Sequence, residues 1–184
     1  MSRYITDFNT FRDVIRGIET PPDNPFIRTG VRSDAGSAAY GPYQTVRSRN
    51  LDILNNEDID LTDEEREALK LVINQQALAL KYGGKDRAKY EDPNSPEYKS
   101  KEFLDRYDYG GDLEITDPSV LSAYQSAQEK ELQRHFNQYG GDLLESAQAW
   151  HGGDNWRSGG NIETTEDYGR KALSFLDRLG RPLQ

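Results

Sequence analysis

Apolar residues recur at three- and four-residue steps near the start of the chain, and this spacing predicts an amphipathic helix that runs to about Glu19. The residues that share its apolar face are Phe8, Phe11, Val14, Ile15 and Ile18. The pair Pro21-Pro22 then stops the helix, because proline cannot donate the backbone hydrogen bond that a further turn needs. The pattern therefore places the carboxylate of Glu19 at the end of an apolar helical face.

Four further stretches show helical spacing between polar caps and glycine or proline stops. They cover residues 62–83, 117–140, 142–152 and about 164–180. The first begins with the capping box Thr62-Asp63-Glu64-Glu65, and the second has Pro118 at its first helical position. Strand signals are poor elsewhere. We therefore expect a mainly α fold, with any β structure confined to a small hairpin near residues 26–46.

Residues 84–116 break the helical pattern. This segment mixes charged residues with tyrosines and has few aliphatic residues, although Ser95-Pro96-Glu97 is a candidate start for a short helix. The whole chain has 184 residues, a length that suits one domain with one core. We interpret the chain as a single domain over residues 1–184 that carries an inserted polar segment at about 84–116.

Composition excludes several classes of partner and cofactor. The net charge is −9, which disfavours binding to nucleic acid or to an anionic membrane, because both are polyanions. The chain has no cysteine and only two histidines, so disulfides, thiolate zinc sites and histidine-rich metal sites are not expected. The first residues lack the apolar run of a secretory signal, and no stretch approaches membrane-spanning length. We expect no metal, no cofactor and no membrane insertion.

Four short motifs occur in an order that resembles the soluble lytic transglycosylase and goose-type lysozyme group. In chain order they are Ile18-Glu19-Thr20, Ala39-Tyr40-Gly41-Pro42-Tyr43-Gln44, the stretch 141–153 that ends in Trp150-His151-Gly152-Gly153, and Glu163-Thr164-Thr165-Glu166-Asp167-Tyr168. The group shows E-S after a helix, G-L-M-Q, A-Y-N-x-G, and E-T-x-x-Y before a final helix. The resemblance covers both ends of the chain and implies an α+β, lysozyme-like helical domain.

The chain also departs from the motifs of that group. Thr20 stands in place of serine, and Gly41-Pro42-Tyr43-Gln44 keeps only the glycine and the glutamine of G-L-M-Q. Trp150-His151-Gly152-Gly153 replaces Y-N-x-G, which keeps an aromatic residue, a polar side chain and a glycine. The connection between the second and third motifs is longer than is usual in the group. Residues 84–116 are therefore interpreted as an elaboration on a lysozyme-like core.

The resemblance implies a catalytic role for Glu19. A carboxyl group in apolar surroundings stays protonated near neutral pH, as a general acid for a glycosidic leaving group requires. Glu19 is then expected to protonate the glycosidic oxygen and afterwards, as a carboxylate, to take a proton from the attacking group. The alternative, from its position alone, is a solvated carboxylate at a helix end.

Three further residues are placed in the substrate cleft by the resemblance. Gln44 is expected to hydrogen-bond the sugar or Glu19, and Tyr168 to direct its hydroxyl toward the catalytic carboxyl. His151 takes the position of a cleft asparagine, which makes it a candidate ligand of the substrate. The alternatives are a surface amide for Gln44, core packing for Tyr168, and a cation at a helix C-terminus for His151.

The aromatic residues of the motifs have two interpretations. Tyr40 and Tyr43 stack on sugar rings or pack in the core of a short hairpin, and Trp150 is either a core residue or a ligand platform. The second histidine, His135, is interpreted as a surface residue, as is the acidic run from Asp63 to Glu67. All three aromatic residues remain candidates for substrate binding.

The nucleophile depends on whether a second carboxylate is present. An inverting hydrolase needs a base that holds water, whereas a lytic transglycosylase needs only the acid, because the 6-hydroxyl of the muramyl ring attacks internally. Asp34 lies ten residues before Gln44 and is the candidate second carboxylate, while Val46, two residues after Gln44, provides no carboxylate on the other side of the motif. The expected activity is cleavage of the MurNAc-GlcNAc β-1,4 bond to 1,6-anhydro-MurNAc ends, with lysozyme-type hydrolysis assisted by Asp34 as the alternative.

A leaderless enzyme of this kind needs a carrier to reach peptidoglycan beyond the cytoplasmic membrane. Bacteriophages are the commonest carriers, so we expect a virion component, in the tail or ejected, that acts in the host periplasm or cell wall during entry or release. Its partners are then peptidoglycan glycan strands and other virion proteins. Two alternatives stay open: a non-catalytic structural virion protein on a lysozyme-like fold, and an unrelated helical binding module.

Overall fold

The computed structural model describes residues 4–20, 38–83, 86–107, 115–153, 156–157 and 162–181. Within these residues the chain is mainly helical, as the periodicity predicts. The helices are α1 (Phe8–Glu19), α2 (Arg47–Asn55), α3 (Asp63–Tyr82), α4 (Ala88–Glu91), α5 (Lys101–Asp105), α6 (Pro118–Gln138), α7 (Leu143–Gly152) and α8 (Ile162–Leu179). The β structure of the described residues consists of two isolated antiparallel bridges, Ile5 with Asp142 and Tyr40 with Thr45. None of the described helices has the length and apolar character needed to cross a bilayer.

The five helices predicted from spacing and caps are all present. Helix α1 ends at Glu19 as expected, and α3 begins with the predicted capping box, in which Thr62 and Glu65 bond each other's backbone N–H groups. Asp142 caps α7 by accepting from the backbone of Glu145. Helix α8 begins at Ile162, slightly before the predicted start near Thr164. The caps therefore located helix boundaries to within a few residues.

Three helices were not predicted, and one expected helix start is wrong. Helix α2 begins directly after the region where a hairpin was expected, and of that hairpin the described residues show only the bridge between Tyr40 and Thr45. Residues 26–37 lie outside the described residues. Within the segment 84–116 the short helices α4 and α5 are present, whereas Ser95-Pro96-Glu97 forms a turn instead of a helix. The described part of the segment, residues 86–107 and 115–116, therefore contains short helices and turns.

The chain divides into two compact units. The first unit combines residues up to 22 with residues from 129 onward, and the second comprises residues 23–128. Helix α6 contributes its first half to the second unit and its second half to the first. Each unit has its own buried residues. The single domain over residues 1–184 remains a prediction.

The first unit is built around α8, which contacts both α1 and α7. Phe11 of α1 stacks on Phe136 of α6 with ring centroids 5.3 Å apart. The extended segment before α1 pairs with the turn between α6 and α7. The N–H of Thr6 donates to the carbonyl of Gly141, and the N–H of Leu143 donates to the carbonyl of Tyr4. These contacts hold the residues that precede α1 beside the N-terminal end of α7.

The second unit packs α2, α3 and the first half of α6 around a common core. Its fully buried members include Ile53, Leu69, Val72, Tyr124 and Ala127. At the C-terminal end of α3, the ring of Tyr82 contacts the rings of Tyr90, Phe103 and Tyr107, at centroid distances of 5.0–5.5 Å. Aromatic contacts thus pack the described part of the segment 84–116 against the C-terminal end of α3.

Candidate active site

The carboxyl group of Glu19 hydrogen-bonds to a tyrosine that is distant in sequence. Glu19 is the last residue of α1, and Thr20 adopts an extended conformation that ends the helix. The hydroxyl of Tyr168, on α8, donates to Oε1 of Glu19 at 2.6 Å. Tyr168 is only 6% exposed and Glu19 is half-buried. The predicted contact between these two residues is therefore present.

The environment of Glu19 favours its protonated form. Burial raises the pKa of Glu19 to about 7, although the hydrogen bond from Tyr168 and the charge of Lys171 both act to lower it. Burial, the charge of Glu19 and the hydrogen bond to Glu19 together raise the pKa of Tyr168 well above its ordinary value. Near neutral pH Tyr168 thus remains a hydrogen-bond donor while Glu19 exchanges a proton.

The second oxygen of Glu19 is available for that proton. Within the described part of the chain, the bond from Tyr168 is the one hydrogen bond that the Glu19 carboxyl makes. A neutral carboxyl group carries its proton on one oxygen and can donate it, while its other oxygen still accepts. Because Oε1 accepts from Tyr168, Oε2 is the atom that holds and donates the proton. This arrangement is chemically competent for general acid catalysis.

His151 lies flat against the other side of the Tyr168 ring. The two rings are nearly parallel, with centroids 4.5 Å apart and planes inclined by 13°. His151 is itself exposed, so it covers Tyr168 while presenting surface to solvent. Desolvation of the imidazole and the charge of Lys171 both lower the pKa of His151, which favours the neutral ring near pH 7. The structure thus brings three of the predicted site residues together: Glu19, Tyr168 and His151.

Small residues let the three helices approach closely enough to form this site. A Cβ atom at Gly17 of α1 would lie 2.0 Å from Cζ of Phe175 on α8. A Cβ atom at Gly169 of α8 would lie 2.6 Å from Cδ1 of Leu144 on α7. Both distances are shorter than any real carbon contact, so a Cβ atom at either position would force the facing side chain, or the helix that carries it, to move. Helix α8 is therefore held against both neighbours, with Tyr168 between Glu19 and His151.

Trp150 and His135 lie in the interior of the same unit. Trp150 is 5% exposed, and its ring contacts that of His135 edge-on at 5.9 Å, which favours the core alternative for Trp150. The surface prediction for His135 is wrong, because its side chain is completely buried. Its Nε2 lies 3.1 Å from Oε1 of Glu131, and Arg134 also bonds Glu131. Burial acts to raise the pKa of Glu131, but the bonds from His135 and Arg134 outweigh it and hold that pKa well below its ordinary value.

Gln44 closes a tight turn in the second unit. The backbones of Tyr40 and Thr45 exchange two hydrogen bonds of 3.2 Å across the turn, and the N–H of Gln44 donates to the carbonyl of Gly41. Gln44 has a φ angle of 46°, which is the left-handed region that non-glycine residues rarely occupy. Its half-buried side chain donates from Nε2 to the Gly41 carbonyl at 3.0 Å. The conformation of Gln44 is strained and must be imposed by its surroundings.

The two tyrosines of this turn pack inside the second unit. Tyr40 and Tyr43 are each 1% exposed, and Tyr40 stacks on Tyr124 of α6 with centroids 5.6 Å apart. Rings with so little accessible surface have no face to offer to a sugar in this structure. The burial therefore favours the core alternative for Tyr40 and Tyr43.

A buried network of polar side chains supports the Gln44 turn. Its members are Thr45, Asn50 of α2, Gln76 of α3, and Tyr124 and Gln128 of α6. Gln76 donates from Nε2 to the carbonyls of Ala38, at 2.6 Å, and Thr45, at 2.9 Å. The sequence contained a signal for this network, because Gln76 occupies a position in the apolar spacing of α3. A polar residue at such a position needs buried partners, and here they hold the turn.

The candidate second carboxylate, Asp34, lies outside the described residues. Its role stays a prediction. The charge that acts on Glu19 among the described residues comes from a lysine, Lys171. In the same described part of the chain, no cluster of three histidine or carboxylate side chains has the arrangement of a metal site.

No protein-family model, curated protein or solved structure matches the chain.

Proposed function

We propose that this chain is a peptidoglycan-cleaving muramidase in which Glu19 is the general acid for the MurNAc-GlcNAc β-1,4 bond. One observation carries the proposal: Glu19 is half-buried, has a pKa raised to about 7, and accepts a hydrogen bond from the protonated hydroxyl of Tyr168. A carboxyl that serves only as a solvated helix end has no reason to be held in its neutral form. The order of the four motifs supports the choice of substrate, and with it a lysozyme-like fold.

The proposed reaction begins with proton donation. Oε2 of Glu19 gives its proton to the glycosidic oxygen as the bond from that oxygen to C1 of the muramyl ring breaks, so the GlcNAc leaves as an alcohol. The carboxylate that remains is stabilised by the hydroxyl of Tyr168 and by the charge of Lys171. Both interactions favour the ionised form, so they become stronger as the proton departs.

The proposed nucleophile is the 6-hydroxyl of the same muramyl ring. Its oxygen forms the new bond to C1, and its proton passes to the Glu19 carboxylate, which restores the acid for the next cycle. The product is a 1,6-anhydro-MurNAc end, and no water is consumed. The residue two positions after Gln44 is Val46, which provides no carboxylate to hold a water there, and this favours the internal route. Hydrolysis assisted by Asp34 is the alternative, and it predicts reducing ends instead.

We further propose that a phage particle delivers the enzyme to the wall. Peptidoglycan is anionic, and the chain has a net charge of −9, so long-range electrostatics would not draw a free enzyme to its substrate. A component of a tail, or one ejected into the periplasm, is placed at the wall by the particle. Its partners are glycan strands and neighbouring virion proteins.

The direct test compares two carboxyl-to-amide variants on purified sacculi. We expect Glu19→Gln to lose activity by on the order of a hundredfold or more, because the amide cannot donate the proton. Glu166→Gln is the matched control, because Glu166 is an exposed residue of α8 in the same unit, and it should retain normal activity. Clearing of sacculi by Glu19→Gln at the wild-type rate would contradict the proposal.

A further inference from the structure

His151 differs from the other groups of the site, because it contacts Tyr168 and not the carboxyl group. Its imidazole covers one face of the Tyr168 ring at 4.5 Å, while the hydroxyl of Tyr168 bonds Glu19 at 2.6 Å. Helix α7 supplies His151, α8 supplies Tyr168 and Lys171, and α1 supplies Glu19. These are the titratable and charged groups of the described residues that act on one another here. The three helices thus meet in a layered arrangement of imidazole, phenol and carboxyl.

The burial of Tyr168 depends on this layering. Tyr168 is 6% exposed although its neighbour His151 is exposed, so the imidazole lies between the phenol ring and solvent. Stacked rings in near-parallel contact gain stability beyond the area that they bury. A ring in this place therefore does two things: it holds the phenol in one orientation, and it keeps water from the hydrogen bond behind it.

We propose that His151 is a positioning residue for the general acid, which acts through Tyr168 by fixing its ring and excluding water from its hydrogen bond to Glu19. This inference rests on the proposed role of Glu19 and deepens it. It differs from the role that the family resemblance implies for this position, which is a hydrogen bond to the substrate. The flat shape of the ring is the property that matters, and its nitrogen atoms are not required.

The consequence for Glu19 follows from the cause of its elevated pKa. Burial is the main reason why that pKa is raised, so admitting water beside Tyr168 should move it down toward its ordinary value. Less of the enzyme then carries the proton at neutral pH. Activity should fall, and the decline of activity on the alkaline side should begin at lower pH.

The test uses three substitutions that separate ring shape from hydrogen bonding. His151→Phe keeps a flat ring and loses the nitrogens, His151→Asn keeps a polar side chain and loses the ring, and His151→Ala loses both. We expect His151→Phe to stay within about threefold of wild-type activity. The other two variants should lose about fivefold to tenfold at neutral pH, because lowering the pKa of Glu19 by about one unit leaves roughly a tenth of the protein protonated there. We also expect the pKa of Glu19, followed by the NMR shift of its labelled carboxyl carbon, to fall by about one unit in the Asn and Ala variants only.

Two outcomes would overturn the inference. If His151→Asn is active and His151→Phe is not, the residue hydrogen-bonds the substrate. If none of the variants moves the pKa of Glu19, the imidazole does not control the environment of the acid. The NMR titration needs no substrate, so it tests the effect of His151 on Glu19 independently of the activity. If the wild-type protein is inactive on sacculi but the pKa of Glu19 falls in the Asn and Ala variants, the proposed function is contradicted. The effect of His151 on the pKa of Glu19 would still be established.

Discussion

At the scale of single residues, the proton on Glu19 is the feature on which the chemistry depends. A carboxyl with a raised pKa is easier to protonate in the folded protein than in the unfolded chain. Ionising it in the folded state therefore lowers the free energy of unfolding, and this loss occurs at the near-neutral pH at which the proposed activity would operate. A residue that served packing alone would not be expected to carry such a cost.

The first prediction concerns the stability of Glu19→Gln as a function of pH. Between about pH 4.5 and 7 the unfolded chain loses the Glu19 proton while the folded protein keeps it, so wild-type stability falls as pH rises through this range. The amide does not titrate. Between pH 4.5 and pH 8, the free energy of unfolding of the variant should therefore rise relative to that of wild type by up to about 3 kcal/mol. Solvent screening of the half-buried carboxyl makes this figure an upper limit.

Urea unfolding at the two pH values measures this gain. Glu166→Gln again serves as the control, because an exposed carboxyl should give the same stability difference at both values. A stability difference between Glu19→Gln and wild type that does not change with pH would show that Glu19 titrates normally.

A second prediction concerns Tyr168→Phe. The hydrogen bond from Tyr168 lowers the pKa of Glu19, so removing the hydroxyl should raise that pKa and move the alkaline decline of activity to higher pH. The direction is opposite to that expected for His151→Ala. A pH–rate profile of the variant checks it, with Tyr139→Phe, in the same unit, as the control. If the alkaline decline of activity stays at the same pH or moves to lower pH, the hydrogen bond from Tyr168 does not act on Glu19 as described.

The sequence predicted the contact between Glu19 and Tyr168 but not the electrostatics around it. Motif order placed Glu19 and Tyr168 in one predicted site, because each motif lies at the edge of a predicted helix. The raised pKa of Glu19 depends on burial against α8, which begins more than 140 residues later in the chain. A local sequence pattern cannot predict burial by so distant a segment. His135 was predictable and was missed. It lies three residues after Leu132 and next to Phe136, so it occupies the buried face of α6.

At the scale of elements, close packing of α8 against α1 fixes the distance between Tyr168 and Glu19. Gly17 allows this packing because its missing side chain makes room for the ring of Phe175. The helical spacing of apolar residues predicted both helices, yet it did not predict which faces would meet. Which faces meet depends on shape complementarity between residues that are distant in sequence. A glycine within a helix is the local sequence feature that indicates such a close contact.

A third prediction tests this contact with Gly17→Ala. Alanine normally stabilises a helix interior by about 1 kcal/mol relative to glycine, but here its Cβ would overlap Phe175, and overpacking costs about 1–3 kcal/mol. We expect net destabilisation, measured by thermal or urea unfolding. In the background of Phe175→Leu the same substitution should cost less. Equal cost in both backgrounds would show that the two residues do not meet.

The polar network of the second unit illustrates why α2 was not predicted. Asn50 is fully buried on α2 and replaces an apolar residue where the core-facing pattern would need one. Its amide donates to Oε1 of Gln76 at 2.9 Å and to the hydroxyl of Tyr124 at 3.0 Å. A helix that buries amides looks polar from sequence alone. The network is therefore visible only when its members from three helices are brought together.

A fourth prediction concerns Gln76→Leu. The substitution removes three buried hydrogen bonds at once, those of Gln76 with the carbonyls of Ala38 and Thr45 and with the amide of Asn50. A lost hydrogen bond costs about 0.5–1.5 kcal/mol, and a buried group left unsatisfied costs about 1–3 kcal/mol. We expect a loss of about 3 kcal/mol or more in the free energy of unfolding. Gln75→Leu is the matched control, and it should change stability by well under about 1 kcal/mol. Similar losses in both variants would show that the network contributes little.

At the scale of the whole molecule, charge and composition limit how the protein meets its substrate. A chain with net charge −9 is poorly suited to search an anionic wall by itself, whereas delivery by a particle removes the need for that search. The described helices leave this proposal unaffected, since delivery depends on partners and not on the fold. The proposed chemistry takes place at one carboxyl group, and its products would identify the reaction.

The most direct measurement is mass spectrometry of the muropeptides that the protein releases from purified sacculi. We predict products that end in 1,6-anhydro-MurNAc, and we predict that Glu19→Gln releases almost none of them. Products with reducing MurNAc ends would show that water, not the 6-hydroxyl, is the nucleophile. Failure of the wild-type protein to release any muropeptide, or equal release by Glu19→Gln, would contradict the assignment of Glu19 as the general acid of a muramidase.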